Sequence, residues 1–160
     1  MQKVTILCVG KLKEKFYADA VSEYVKRLSR FCKLEILELA EERLPDDPSP
    51  AQIAQSLERE AVEAEKQIPK GAWVAVFTPE GKALSSPEFA EQLARVKSGG
   101  RSCACFLLGS SFGMAQRLKD RADARISMGK MTFPHHLARI MALEQLYRAE
   151  SIQAGSRYHK

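Results

Sequence analysis

The residues best suited to chemistry gather in the last third of the chain. His135 and His136 follow Pro134 at the start of a helical pattern, and the third histidine, His159, is the second-last residue. An imidazole titrates near neutrality and serves as acid, base or metal ligand. At a helix start, His135 and His136 suit capping or packing as well as catalysis. His159 lies in the tail Gly155-Ser156-Arg157-Tyr158-His159-Lys160. A tail of that composition is either a disordered terminus or, if it folds back, a source of a phenol, an imidazole and two cations. Upstream of it, Glu144 and Arg148 are spaced i,i+4 with the acid first, the favourable order for a helical pair. The pair is either structural or presents Arg148 to a site.

Gly109-Ser110-Ser111-Phe112-Gly113 matches G-x-S-x-G between a strand and a helix. One reading is a nucleophile elbow, with Ser111 attacking and Asp123 and a histidine in support. The other is a ligand loop whose glycines let backbone N–H groups approach a bound molecule. A G-x-G-x-x-G dinucleotide fingerprint follows none of the strands. Cys8, Cys32, Cys103 and Cys105 lack paired metal spacing and read as small buried hydrophobes in a reducing compartment. No metal site is expected.

These residues need a scaffold, and the hydrophobic pattern supplies one. Strands are expected over Lys3–Val9, Lys33–Leu39, Ala72–Phe77, Cys103–Leu108 and Ala124–Met128. Helices are expected over Glu14–Arg30, from Ser49-Pro50 to Gln67, from a Ser86-Pro87 cap to Ser98, over Met114–Arg121, and from Pro134 onward. Thr78-Pro79-Glu80-Gly81 reads as a turn. Strict alternation with wholly apolar strands predicts an α/β fold: a mainly parallel sheet with helices on both faces, in one domain. Ligands of such sheets bind beyond the carboxyl ends of the strands. Three loops there carry glycine: Thr78–Lys82, Gly109–Gly113 and Gly129–Thr132.

The last helix is apolar nearly all round. Leu137, Ile140, Met141, Leu143 and Tyr147 make a wide band, the alanines Ala138, Ala142 and Ala149 face the other way, and only Arg139, Gln145 and Glu150 look solvated. Such a helix must be buried, and in a small protein the simplest partner is a second copy.

A chain of 160 residues buries enough surface to hold a core without staples. No apolar run reaches the ~20 residues that cross a bilayer. The apolar start reads as a strand and not a signal peptide, so a cytoplasmic location is expected. The net charge of +5 lies wholly in residues 117–160, where nine Lys/Arg face four Asp/Glu. A basic C-terminal third suggests a polyanion, RNA before a membrane.

Five stretches carry a family resemblance: Leu108–Gly113, Ile126–Met128, Met131-Thr132-Phe133-Pro134-His135, Leu143-Glu144-Gln145-Leu146-Tyr147-Arg148-Ala149, and the closing Tyr158-His159-Lys160. Together they resemble the small SPOUT-class methyltransferases that methylate N3 of a pseudouridine in large-subunit ribosomal RNA, and the similarity spans the chain. The resemblance implies a C-terminal trefoil knot, a homodimer with its site at the interface, S-adenosylmethionine as donor, and the ribosome as partner. It places Phe77, Gly109, Met128, Gly129, Lys130, Met131, Thr132 and Phe133 around the donor. Tyr158, His159 and Arg148 are the matched candidates for catalysis: His159 as base, Arg148 for charge on the ring oxygens, Tyr158 to orient the base. The chain departs from the family pattern at Phe77-Thr78, where Leu-Asp is common, at Ser110, where a second glycine is usual, and at Arg157, where proline is frequent. A serine hydrolase and a non-catalytic ribosome-binding factor are the rival classes.

Overall fold

The computed structural model describes residues 1–101 and 103–160. Five strands, β1 (Lys3–Val9), β2 (Lys33–Leu39), β3 (Trp73–Ala83), β4 (Cys103–Leu108) and β5 (Ala124–Ser127), alternate with five helices. The helices are α1 (Lys15–Leu28), α2 (Pro50–Gln67), α3 (Ser86–Ser98), α4 (Gln116–Arg121) and α5 (His135–Gln153). The strands form one sheet in the order β2-β1-β4-β3-β5, with every neighbouring pair parallel. All carboxyl ends therefore emerge along one edge.

Both faces of the sheet are covered, as its apolar strands require. Successive side chains of a strand point to opposite faces. In β4, Ala104, Phe106 and Leu108 join the core beneath α1, α3 and α5, while Cys103, Cys105 and Leu107 join the core beneath α2 and α4. All four cysteines are buried and free. β2 lies at the sheet edge; its Glu35 pairs with Lys3 of β1, and its Glu38 turns to the opposite face, toward Arg139 of α5.

The helices start where cap chemistry dictates. At α2, the Ser49 hydroxyl accepts from the Gln52 N–H while the Gln52 side chain accepts from the Ser49 N–H. The same reciprocal box at α3 is built on Ser85 and Glu88. The cap is thus one residue before the expected Ser86, because only from Ser85 does an acid fall at the third helical position.

Two expectations give way. Thr78–Gly81 is not a turn. β3 continues through it to Ala83, and the pairing with β5 slips there, with Phe77 and Lys82 both opposite Ile126. A Pro-Glu-Gly run is tolerated because the irregularity leaves its N–H groups off the ladder. Gly81 is required: a Cβ on it would sit 2.6 Å from the Ile126 nitrogen. The second correction concerns α5. Arg139 and Glu150, read as solvated, are 1% and 5% exposed, and Gln145 is only half-exposed. α5 packs between α1 and α3, so its polar residues meet partners. The Arg139 guanidinium donates to Glu38 Oε2 at 2.7 Å and to the Gly10 carbonyl at 2.8 Å. Glu150 accepts from Lys97 of α3 at 2.6 Å. The fully buried apolar side of α5 is Ala142, Leu143, Leu146 and Ala149, while Leu137, Ile140 and Met141 remain half-exposed.

Placing a methyl at Gly81 forces two paired backbones apart. Gly81→Ala is expected to lower stability by ~1–3 kcal/mol, read as a reduced urea midpoint with an unchanged denaturant slope.

Candidate active site

The exits of β3, β4 and β5 stand side by side although they are far apart in the chain. The segments that follow enclose a cleft of 360 Å³, within the roughly 300–1,000 Å³ range of small-ligand sites. Its walls include Phe77, Thr78 and Pro79 from β3, Gly109–Met114 after β4, and Met128–Phe133 after β5. His135 and Ala138 of α5 close one side, and Lys119 of α4 stands at the rim. All eight residues matched to the donor, Phe77, Gly109, Met128, Gly129, Lys130, Met131, Thr132 and Phe133, line this one cleft.

The loop after β4 is a tight turn. The Ser110 N–H donates to the Gly113 carbonyl at 3.0 Å, and the Gly113 N–H returns a bond to Ser110 at 2.9 Å. A Cβ on Gly109 would lie 2.2 Å from the Gly113 oxygen, so only glycine closes this turn. After β5, Gly129 takes φ +120°, open to glycine and strained for other residues. The Ser127 hydroxyl bonds Gly129 through both its N–H and its carbonyl, each at 3.1 Å.

The cleft's chemistry fits a small ligand with an aromatic ring and polar ends. Phe77, Leu108, Met128 and Phe133 offer apolar surface. Thr78 Oγ1 and His135 Nε2 are buried on lining residues and make no hydrogen bond among the described residues; Glu80 adjoins the first, and Glu41 Oε1 lies 4.0 Å from the second. Burial, and then the neighbouring His136, hold His135 below the usual imidazole range. It therefore enters the cleft wall uncharged at neutral pH. Lys119 is tied to Glu80, whose carboxyl that contact holds down to about 2. Among the described residues no group of His, Cys, Asp and Glu could hold a metal ion, and no helix is long and apolar enough to cross a membrane.

The three residues matched to catalysis do not line this cleft. Arg148, Tyr158 and His159 form a separate cluster on the last turns of α5. Glu144 Oε1 accepts from Arg148 Nη2 at 2.6 Å and from the Tyr158 hydroxyl at 3.1 Å. The Arg148 guanidinium lies over the Tyr158 ring, 4.7 Å from its centre, and Tyr158 packs edge-on against Tyr147. The tail is thus folded back and held. Burial, then the Glu144 carboxylate, push the Tyr158 phenol up to about 12, so it stays protonated. Arg148 Nη1 lies 3.3 Å from His159 Nδ1. A guanidinium has donors only, so Nδ1 accepts and a neutral ring carries its proton on Nε2.

A second cleft joins the two places. It measures 520 Å³ and shares Phe77, Met128 and Gly129 with the first, while Ile140, Met141 and Glu144 of α5 form its far side. Glu144 therefore belongs both to that cleft and to the tail cluster. Ser111 is also in the first cleft, but the elements of a nucleophilic triad are not assembled. Among the described residues no histidine hydrogen-bonds Ser111, and Asp123 accepts the Val74 N–H at 2.8 Å. Nothing in the sequence marks Lys119 as a cleft residue; the placement of α4 brings it to the rim.

Known proteins resemble the chain throughout. The family model described as "Predicted SPOUT methyltransferase" matches residues 2–159. A ribosomal RNA large subunit methyltransferase H of Streptococcus equi subsp. zooepidemicus is 44% identical over 158 residues, 99% of each chain. One from Leuconostoc mesenteroides is 41% identical over 98% of this chain and 99% of its own. Among solved structures, a probable methylase family protein from Haemophilus influenzae superposes with a TM-score of 0.55 at 8% identity, over 99% of this chain and 70% of that one. That likeness concerns the fold alone.

Gly109→Ala is expected to leave the far-UV circular dichroism intact and to weaken S-adenosylmethionine binding by about tenfold or more, ~1.4 kcal/mol, in calorimetry.

Proposed function

Since this chain belongs to the SPOUT methyltransferase family, we propose that it transfers a methyl group from S-adenosylmethionine to N3 of a pseudouridine in large-subunit ribosomal RNA. The observation that carries this is that all eight residues matched to the donor line one cleft. The relatives' names point to large-subunit ribosomal RNA as acceptor.

S-adenosylmethionine supplies a methyl already activated by its sulfonium, so the protein needs no covalent chemistry of its own. Phe77, Met128 and Phe133 offer the apolar walls for the adenine. Gly109 and Gly129 let main-chain groups approach. Main-chain positioning of this kind lowers a barrier by fixing geometry and excluding water.

The acceptor side requires a group to take the N3 proton. His159 is the candidate, with Arg148 stabilising charge on the ring oxygens and Tyr158, protonated, orienting the base. His159 Nδ1 is engaged by Arg148 in this structure. Drawing the guanidinium onto a uracil-ring oxygen frees that nitrogen, so acceptor binding and base activation become one event. N3 then gains the methyl and loses its proton to His159.

The tail cluster lies apart from the donor cleft within one chain. A homodimer that covers the half-exposed Leu137, Ile140 and Met141 would set the tail of one copy against the cleft of the other. That arrangement, with the last strand and helix threaded as a trefoil knot, is the architecture we propose. Of the nine cations in residues 117–160, Arg117, Lys119, Arg125, Arg139 and Arg148 are spent in ion pairs. Arg121, Lys130, Arg157 and Lys160 are left for phosphates. Recognition is expected to draw also on the shape of the assembled ribosome.

Labelled S-adenosylmethionine should methylate intact ribosomes in preference to isolated ribosomal RNA, and mapping should place the methyl on a pseudouridine. Equal rates on both would refute the ribosome reading. His159→Ala should lose ~10²–10⁴-fold in turnover, the usual worth of general-base catalysis; full turnover with unchanged RNA affinity would remove His159 as base. Ser111→Ala should keep methyl transfer, and its loss would revive the hydrolase class.

A further inference from the structure

Free positive charge is not confined to the last third of the chain. β1 ends at the same sheet edge as the cleft, and the segment leaving it, Gly10-Lys11-Leu12-Lys13-Glu14-Lys15-Phe16, carries three lysines against one acid. All three lysines are exposed. Lys15 pairs with Asp19 at 2.5 Å, one turn along α1, in open solvent where such a pair contributes little. Lys11 and Lys13 meet no acid within ion-pair distance among the described residues. Glu14 and Glu41 lie instead against the histidines of α5: Glu14 Oε2 is 3.9 Å from His136 Nδ1, and Glu41 Oε1 is 4.0 Å from His135 Nε2.

Phe16 stands at the end of this lysine run. It heads a stripe of α1, Phe16, Ala20, Tyr24 and Leu28, each one turn from the next. Leu28 is fully buried and Tyr24 packs on the core, but Phe16 is 65% exposed. A lone exposed apolar side chain is ordinary. This one is held in place, because its ring centre lies 4.3 Å from that of Tyr17. Tyr17 in turn meets His136 edge-on at 6.1 Å, and His136 lies 4.1 Å from His135, which lines the cleft. A row of four rings thus runs from the lysines to the cleft wall.

A fixed aromatic face beside free ammonium groups suits an unpaired nucleobase. The ring stacks on the base, and the cations meet the flanking phosphates. A protein partner would want the opposite surroundings, since lysine is depleted where proteins bind one another.

We propose that the exit of β1 is a second RNA-binding surface, separate from the basic C-terminal third, in which Phe16 stacks on an unpaired base of the acceptor ribosomal RNA and Lys11 and Lys13 hold the phosphates beside it. That this RNA is the methyl acceptor rests on the function proposed above; the affinity of the surface for RNA rests on its own residues. The row of rings is short, so the strand gripped here is one whose neighbouring nucleotides reach the cleft.

Binding to intact ribosomes, measured without methyl transfer, tests the surface. Phe16→Ala should weaken the Kd for ribosomes by about tenfold, the usual worth of one base stacked on an aromatic ring. The double variant Lys11→Gln, Lys13→Gln should weaken it too, and should flatten the slope of log Kd against log salt by about 1.4, as the loss of two phosphate contacts on a single strand requires. Calorimetric affinity for S-adenosylmethionine, the urea midpoint and the oligomeric state should match wild type in both variants. A benzoylphenylalanine replacing Phe16 should crosslink to ribosomal RNA on irradiation. Wild-type ribosome affinity in both variants overturns the proposal, as does a crosslink to a ribosomal protein or to a second copy of the chain. If wild-type protein transfers no methyl to ribosomes yet the variants lose ribosome affinity as described, the proposed function fails and the RNA surface stands. If wild type methylates ribosomes and the variants bind them equally well, the surface fails alone.

Discussion

A buried guanidinium ties the molecule together. Arg139 lies in the core with its charge met by Glu38 of β2 and the carbonyl of Gly10 just past β1. A charge left unpaired in such a place costs several kcal/mol, so α5 has one seat that satisfies it. That seat puts the first turn of α5 over the carboxyl ends of β1 and β2. His135 and Ala138, one turn or less away, thereby become one wall of the cleft. His136 falls against Tyr17 of α1, ring centres 6.1 Å apart. The loop from Gly129 to Phe133 must then span from the end of β5 to that fixed helix start, and its path across the cleft follows.

The parallel sheet supplies the other constraint. Because β4 and β5 both flank β3, three exits separated by dozens of residues become neighbours at one edge. Two of these exits solve a close-packing problem with glycine: Gly81 where β3 rides against β5, and Gly109 where the turn folds onto Gly113. Small residues there are structural necessities first, and the backbone they expose becomes the lining of a binding site.

Much of the fold was legible in the chain because its signals are local. Ser49 stands three residues before the Gln52 that completes its capping box. The apolar runs Lys3–Val9 and Cys103–Leu108 could only be buried strands. The eight residues that the resemblance matched converge on one cleft, and they could be marked because the resemblance is carried by short contiguous motifs. The errors fell where a distant partner decides. Pro79 and Gly81 signal a turn, yet β5 recruits them into an irregular strand. Arg139 and Glu150 look solvated on a helical wheel, yet Glu38 and Lys97, far off in sequence, take them inside.

The sequence by itself determined the alternation of strands and helices, the two-sided burial of the sheet, and the edge at which the cleft opens, because periodicity and caps act within a few residues. Through its motifs it also marked which loops to watch. Only the tertiary structure decided the order β2-β1-β4-β3-β5, the seating of α5 by its buried arginine, and the separation of the Arg148–Tyr158–His159 cluster from the donor cleft. Those depend on which distant groups can pair in a medium where an unpaired charge or a misplaced Cβ is costly, and that pairing exists only once the chain has closed on itself.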